Sequence, residues 1–199
     1  FKNKSKNLKI SKQEWLNKSI LWKKRYPVVL QEYRVQKKYV NPYFFMERLS
    51  KYMAKDEIVV ADDGAHLTWA IQSLKVLKQQ RLFSAFGNSP MGYAFPAALG
   101  SSIALNKKRI ICIDGDGSIQ INIQELQTMI SNRLPIKIII INNNGYGIIK
   151  QFQELYLNKR YEAVDSTKRV TNPNFLKIAK AYGVRYSEIK NNFNIDKVL

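Results

Sequence analysis

At 199 residues the chain is long enough to bury one full α/β core. One cysteine, Cys112, excludes an intramolecular disulfide and suits a reducing compartment. No apolar run approaches the ~20 residues of a membrane span, and the basic start has no apolar stretch behind it, so the expectation is a cytoplasmic protein with no membrane partner. The net charge of +18 invites a nucleic-acid reading, but residues 1–40 hold 12 Lys/Arg against 2 acids and residues 41–199 hold 21 against 13. The excess is therefore local, no zinc, helix-turn-helix or RNP-like pattern accompanies it, and no nucleic-acid partner is expected.

Residues 1–11 are polar and basic, with little to bury, and read as a linker or tail. Trp15, Leu16, Ile20, Leu21 and Trp22 mark a short amphipathic helix whose aromatics suit a neighbouring domain or the underside of a sheet. The chain opens in this linker-like stretch and without Met, so we expect a piece of something longer: a basic, helical extension over 1–40 and one domain over 41–199, cut at both ends.

Asn41-Pro42 is a helix start, with Asn as cap and Pro in the first turn, and Phe44, Phe45, Leu49 and Met53 give its apolar face. Glu57–Ala61 reads as a strand, Asp62 to His66 as the turn that follows and Leu67–Leu77 as a helix. His66 is the only histidine; alone it is more often structural than catalytic, and its place beyond a strand favours a contact to a ligand over proton transfer. Arg81–Ser84 is a short strand that leads through a small-residue loop (Ala85 to Gly92) into a helix packing through Ala97, Ala98 and Gly100.

From Arg109 to Ile149 the pattern is β-turn-α-turn-β-turn-α. Arg109–Ile113 and Ile136–Ile141 are continuous apolar runs suited to buried parallel strands, and Ile119, Ile123, Leu126 and Ile130 between them recur at helical spacing. Gly115, Asp116 and Gly117 form a sharp turn opening a helix, where free amides favour an anion. Asp116 in that position suits a bridging divalent cation. Asn142, Asn143 and Asn144 add neutral oxygens after the next strand, and Gly145 allows close backbone approach. One carboxylate, one amide oxygen, one carbonyl, two diphosphate oxygens and water complete an octahedral magnesium shell at about 2.0–2.1 Å. Tyr146–Leu157 continues as a helix, Asn172-Pro173 opens another that Gly183 ends, Val184–Ile189 reads as a strand, and Asn191–Leu199 as the start of a helix. The fold expected is a three-layer, open parallel sheet with helices on both faces.

Gly115-Asp116-Gly117, then 24 residues (Ser118 to Ile141), then Asn142-Asn143, resembles the GDG…NN signature of thiamine diphosphate-dependent enzymes. The branch it looks most like is that of acetolactate synthase and the 2-oxo acid decarboxylases, over residues 41–190. The resemblance implies thiamine diphosphate and Mg2+, with Asp116, Asn143 and the Gly145 carbonyl as metal ligands. Asp62, Gly64 and His66 match the family turn D-x-G-Q-H, with Ala65 in place of Gln, and set Asp63, Gly64 and His66 at the diphosphate. Gly115, Gly117, Ser118, Tyr146 and Gly147 join the cofactor-binding set by their place in the two turns. Met91, Gly92, Pro96, Ala97 and Ala98 match G-x-G-T-M-G-x-x-x-P-A-A, with Ser89-Pro90 in place of Gly-Thr. In that stretch a carbonyl, here of Ser89, meets the aminopyrimidine, and the Met, here Met91, props the cofactor into a bent V. Ordinary core packing is the other reading of Met91. Lys150 and Phe152 stand where the family has Arg and Trp beside the substrate; Lys150 reads equally as a cation for a carboxylate or as a solvated helical Lys. NPNFLKIAKAYGVRY, residues 172–186, also resembles the family's pattern.

The activating Glu of the family lies on a pyrimidine-binding domain, and none of these stretches matches it. The function implied is the cofactor-binding domain of an acetolactate synthase-like decarboxylase or carboligase acting on a 2-oxo acid such as pyruvate. It would be inactive alone, would need a pyrimidine-binding domain of the same or another subunit, and would work within a homo-oligomer. The alternatives are a carboligase joining pyruvate to an aldehyde or keto-sugar, and a non-catalytic cofactor-binding module. FAD is compatible with the family but is not indicated by this chain.

Overall fold

A computed structural model describes residues 12–199; the linker reading of residues 1–11 falls outside the described residues. Four strands, β1 (Ile58–Ala61), β2 (Arg81–Phe83), β3 (Ile110–Gly115) and β4 (Ile136–Ile141), form one parallel sheet in the order β2-β1-β3-β4. The expected open α/β sheet is thus what the chain forms, with helices on both faces. Every residue of β1 and β3 is buried, which is why their sequences are unbroken apolar runs up to the turn.

Alternate side chains serve opposite cores. Ile58, Val60, Ile110 and Cys112 pack with Phe95, Ala98, Leu126 and Met129 of α5 (Ala94–Ala104) and α6 (Glu125–Ser131). Val59, Ala61, Ile111 and Ile113 pack with Phe45, Met46, Leu49, Leu67 and Ala70 of α3 (Pro42–Tyr52) and α4 (Ala65–Ser73). At roughly 1.5–3 kcal/mol for each fully buried large aliphatic or aromatic side chain, these two clusters fix the register on which the strand-end turns depend.

Several expected elements form as read. Asn41 caps α3, its side-chain oxygen accepting from Phe44 N at 3.1 Å. The last strand is Ile136–Ile141, and Tyr146 is the N-cap of α7 (Gly147–Tyr156). Others differ. The stretch after Ser118 is a 3-10 turn (Ile119–Asn122) followed by the separate helix α6, although Ile119, Ile123, Leu126 and Ile130 all reach the same core. The helix after His66 ends at Ser73, short of Leu77.

Val184–Ile189 is not a strand. Val184 and Ile189 anchor in the two cores, but residues 185–188 between them are polar or exposed and form no ladder with β4. Asn172 does not cap the following helix either: α8 (Phe175–Ala181) is capped by Asn174, which accepts from Lys177 N at 3.0 Å. α1 (Lys12–Arg25) and the one-turn α2 (Gln31–Arg34) contain no buried residue; Trp15 and Trp22 meet edge-on at 5.8 Å and neither lies under the sheet. The C-terminal stretch forms a 3-10 turn and the short helix α9 (Ile195–Val198).

Candidate functional site

The turns leaving β1, β3 and β4 converge on one cleft beyond the carboxyl ends of the strands, the location open α/β sheets use for ligands. Asp63, Gly64 and His66 line it from the first turn, Gly115, Asp116, Gly117 and Ser118 from the second, and Asn143, Gly145, Tyr146 and Gly147 from the third, with Met91 alongside. Of the residues the resemblance assigned to the cofactor or metal, Ser89 is the exception: it is exposed, two residues from Met91, and does not line the cleft.

Asp116 sits at its centre, nearly fully buried. Its Oδ1 accepts from Gly117 N at 3.0 Å, and its Oδ2 from Gly145 N at 3.0 Å and from Asn172 Nδ2 at 2.5 Å. The second and third turns are thereby tied through one carboxylate. The Asn143 amide atom that enters the cleft lies 2.6 Å from Gly145 O and 3.3 Å from Asp116 Oδ1. With nitrogen in that place the amide donates two hydrogen bonds. With oxygen in that place, three oxygens from a carboxylate, an amide and a carbonyl converge with no donor between them. Ligands at right angles on a metal at about 2.0–2.1 Å stand about 2.9 Å apart, so a hard cation fits this donor set. Among the described residues there is no cluster of three His, Cys, Asp or Glu side chains that could hold a metal, so any cation here relies on neutral oxygens beside one acid.

Glycines make the approach possible. A Cβ on Gly145 would overlap the Val164 carbonyl oxygen, one on Gly117 the Tyr146 ring, and one on Gly147 would lie 2.7 Å from Asn143 Nδ2. Any side chain at these positions would push apart the groups the turns bring together.

The rest of the cleft suits an anion. α4 and α7 both begin at it, with Gly64 and Tyr146 as N-caps that offer no side-chain hydrogen bond. Leu67 N and Gly147 N are taken by the Gly64 and Gly145 carbonyls at 3.1 Å; the other first-turn amides and the positive ends of two helices face the cleft. His66 is 6 % exposed and its Nε2 has no partner. Burial lowers its pKa to about 4, against a smaller opposing effect of a hydrogen bond to the Asp62 backbone, so the ring is neutral at pH 7. The Ser118 hydroxyl points inward and is spent on Asp114. Lys150, weighed as a cation for substrate, pairs with Asp165 at 2.6 Å and lies over the Tyr161 ring. Its charge is thereby partly neutralised.

A family model described as the thiamine pyrophosphate enzyme C-terminal TPP binding domain matches residues 62–199. The chain belongs to the thiamine pyrophosphate enzyme family, in its C-terminal TPP-binding domain. Among curated relatives it is similar to the acetolactate synthase large subunit of Porphyra purpurea, 34 % identical over 187 residues, covering 93 % of this chain and 30 % of that protein. It is also similar to the mitochondrial acetolactate synthase of Schizosaccharomyces pombe, 34 % over 197 residues, 97 % of this chain and 29 % of the relative. The large subunit of acetolactate synthase isozyme 2 of Escherichia coli is 32 % identical over 154 residues, 77 % and 28 % of the two chains. The chain thus spans about 30 % of the length of these relatives.

Beneath the cleft lie residues whose supporting contacts sequence reasoning did not foresee. Asp62, fully buried, takes Gly92 N at 3.2 Å and Ala94 N at 3.1 Å on its two carboxylate oxygens, and so holds the turn that carries Met91. Asn122 Nδ2 donates to Gly92 O at 2.5 Å from the other side. Asp114 is buried behind Gly115; burial and then the nearby Asp62 charge raise its pKa to about 7. Asn172 and Gln120 join Asp116 from outside the matched turns. A buried Asp on an apolar strand was the available signal for Asp114. For Asn172 there was none, because its neighbour Pro173 gave it a ready reading as a helix cap.

Proposed function

We propose that this chain is the magnesium- and diphosphate-anchoring part of an acetolactate synthase-like enzyme that decarboxylates a 2-oxo acid such as pyruvate and joins the remaining fragment to an acceptor. The observation that carries the reading is the convergence of Asp116 Oδ1, the Asn143 amide and the Gly145 carbonyl between two helix N-termini. Asp116, Asn143 and Gly145 would hold Mg2+, with Asp116 as the only charged protein ligand. The starts of α4 and α7, Asp63, Gly64 and His66, and the turn residues Gly115 to Ser118 and Tyr146 to Gly147 would hold the diphosphate. When bound, thiamine diphosphate supplies a carbanion that attacks the substrate carbonyl and an electron sink as carbon dioxide leaves.

This chain's own tasks are anchoring, shaping and exclusion of water. Met91, 38 % exposed at the cleft rim, is an apolar side chain left in solvent, which suits a prop for a bound ring system better than core packing. A neutral His66 lines the diphosphate end of the cleft without adding charge. Among the described residues no acidic side chain lines the cleft besides Asp63 and Asp116, both assigned to anchoring, so the proton chemistry that activates the cofactor falls to a pyrimidine-binding domain.

The test is turnover by the full 199-residue chain with thiamine diphosphate, magnesium and pyruvate. The cofactor should bind and pyruvate should persist. Robust decarboxylation would overturn the assignment of activation to another domain.

A further inference from the structure

We infer that Asn172 is a positioning residue for the cation site, holding the Asp116 carboxylate so that Oδ1 and not Oδ2 faces the Asn143 amide and the Gly145 carbonyl. The inference rests on the proposed reading of that site. Asn172 lies 56 residues beyond Asp116 in the chain, in a loop before α8, and its side chain is half-buried. Its Nδ2 donates to Asp116 Oδ2 at 2.5 Å, the same oxygen that takes Gly145 N at 3.0 Å. Oδ2 thus receives two donors, while Oδ1 takes only Gly117 N and stays open toward Asn143.

The amide orientation of Asn172 is itself fixed. Gln120 Nε2 donates to Asn172 Oδ1 at 3.1 Å and to the Asp116 main-chain oxygen at 2.7 Å. Because Oδ1 accepts from Gln120, Nδ2 is the atom left to face the carboxylate. Gln120, Asn172 and Asp116 therefore form a connected set that orients the Asn172 amide. A carboxylate free to rotate about its Cβ–Cγ bond could present either oxygen, or both, to a cation. One held by two donors on Oδ2 presents a single oxygen, as an octahedral site with demanding geometry requires. Partners that orient a metal-binding carboxylate in this way commonly change metal affinity 10–100-fold when removed.

The probe is Mn2+ with thiamine diphosphate on the full chain, read by titration and by the electron paramagnetic resonance of the bound ion. Asn172→Ala should weaken Mn2+ binding about tenfold or more and alter the zero-field splitting at saturating Mn2+. A residue that merely supports the fold would lower the melting temperature without Mn2+ and leave that spectrum as it was. Gln120→Ala should shift affinity in the same direction, and it carries the test if Asn172→Ala does not fold. Asp116→Ala separates the two claims. If it binds Mn2+ like the wild type, the cation site itself is wrong. If it loses binding while folded Asn172→Ala or Gln120→Ala keeps wild-type affinity and spectrum, the site stands and the positioning role of Asn172 is overturned.

Discussion

Ser89 occupies the left-handed region, at φ 47°, immediately before Pro90. A β-carbon there is strained, and a following proline disfavours helical dihedrals of either hand, so the loop bearing Met91 is held in a costly shape by its surroundings. Ser89→Gly should relieve that strain and, after the added freedom of the unfolded chain, stabilise the protein by roughly 0.5–1 kcal/mol. A lower urea midpoint for the variant would contradict this. Asp114 gives a pH-dependent counterpart. Its folded pKa of about 7 lies above the ordinary 3.8, so the folded state keeps a proton that the unfolded state gives up. Stability from this group is full below about pH 4 and is lost as pH rises to about 7. Asp114→Asn should match the wild type in acid and exceed it above pH 7 by up to roughly 4 kcal/mol. His66 works the other way, since its folded pKa of about 4 is below the ordinary 6.5 and its contribution grows as pH rises between those values. Asp114→Asn should therefore uncover a stability that climbs from pH 4 to 6.5, which denaturant titrations across pH would show.

At the scale of elements, α7 is amphipathic and contains no buried residue: Ile148, Ile149, Phe152, Leu155 and Tyr156 are all exposed beside the cleft. Phe152→Ala should change stability by no more than about 0.5 kcal/mol, whereas Phe95→Ala, at 0 % exposure in α5, should cost about 3–5 kcal/mol. Equal losses would mean that α7 packs in solution against something its exposure here does not show. The same contrast explains what was legible in the sequence. β1, β3 and β4 could be read because burial on both faces writes an unbroken apolar run, and α3 because Asn41 and Pro42 carry their own capping chemistry. The turns after β3 and β4 could be read because close backbone approach demands Gly at fixed places. Val184–Ile189 misled because two apolar anchors resemble a strand while pairing depends on a neighbour. Asn172 misled because a local cap and a 56-residue reach to Asp116 look the same in one dimension.

At the scale of the whole molecule, α1 through its tryptophans and α7 along one face leave several apolar side chains in solvent. Patches of this kind are commonly covered in a larger assembly, in keeping with a chain that spans about 30 % of the length of its relatives. On the proposed reading the cleft is likewise one-sided: it offers oxygens for a cation, two helix starts and a methionine, and no acid besides Asp63 and Asp116 among the described residues. On that reading, two turns at adjacent strand ends, joined through Asp116, grip a metal ion and the anion it neutralises. Calorimetric titration of the full chain with thiamine diphosphate, with and without Mg2+, tests that most directly. Binding should require Mg2+ in the wild type and be abolished in Asp116→Ala; undiminished, Mg2+-dependent affinity in Asp116→Ala would refute the cation site.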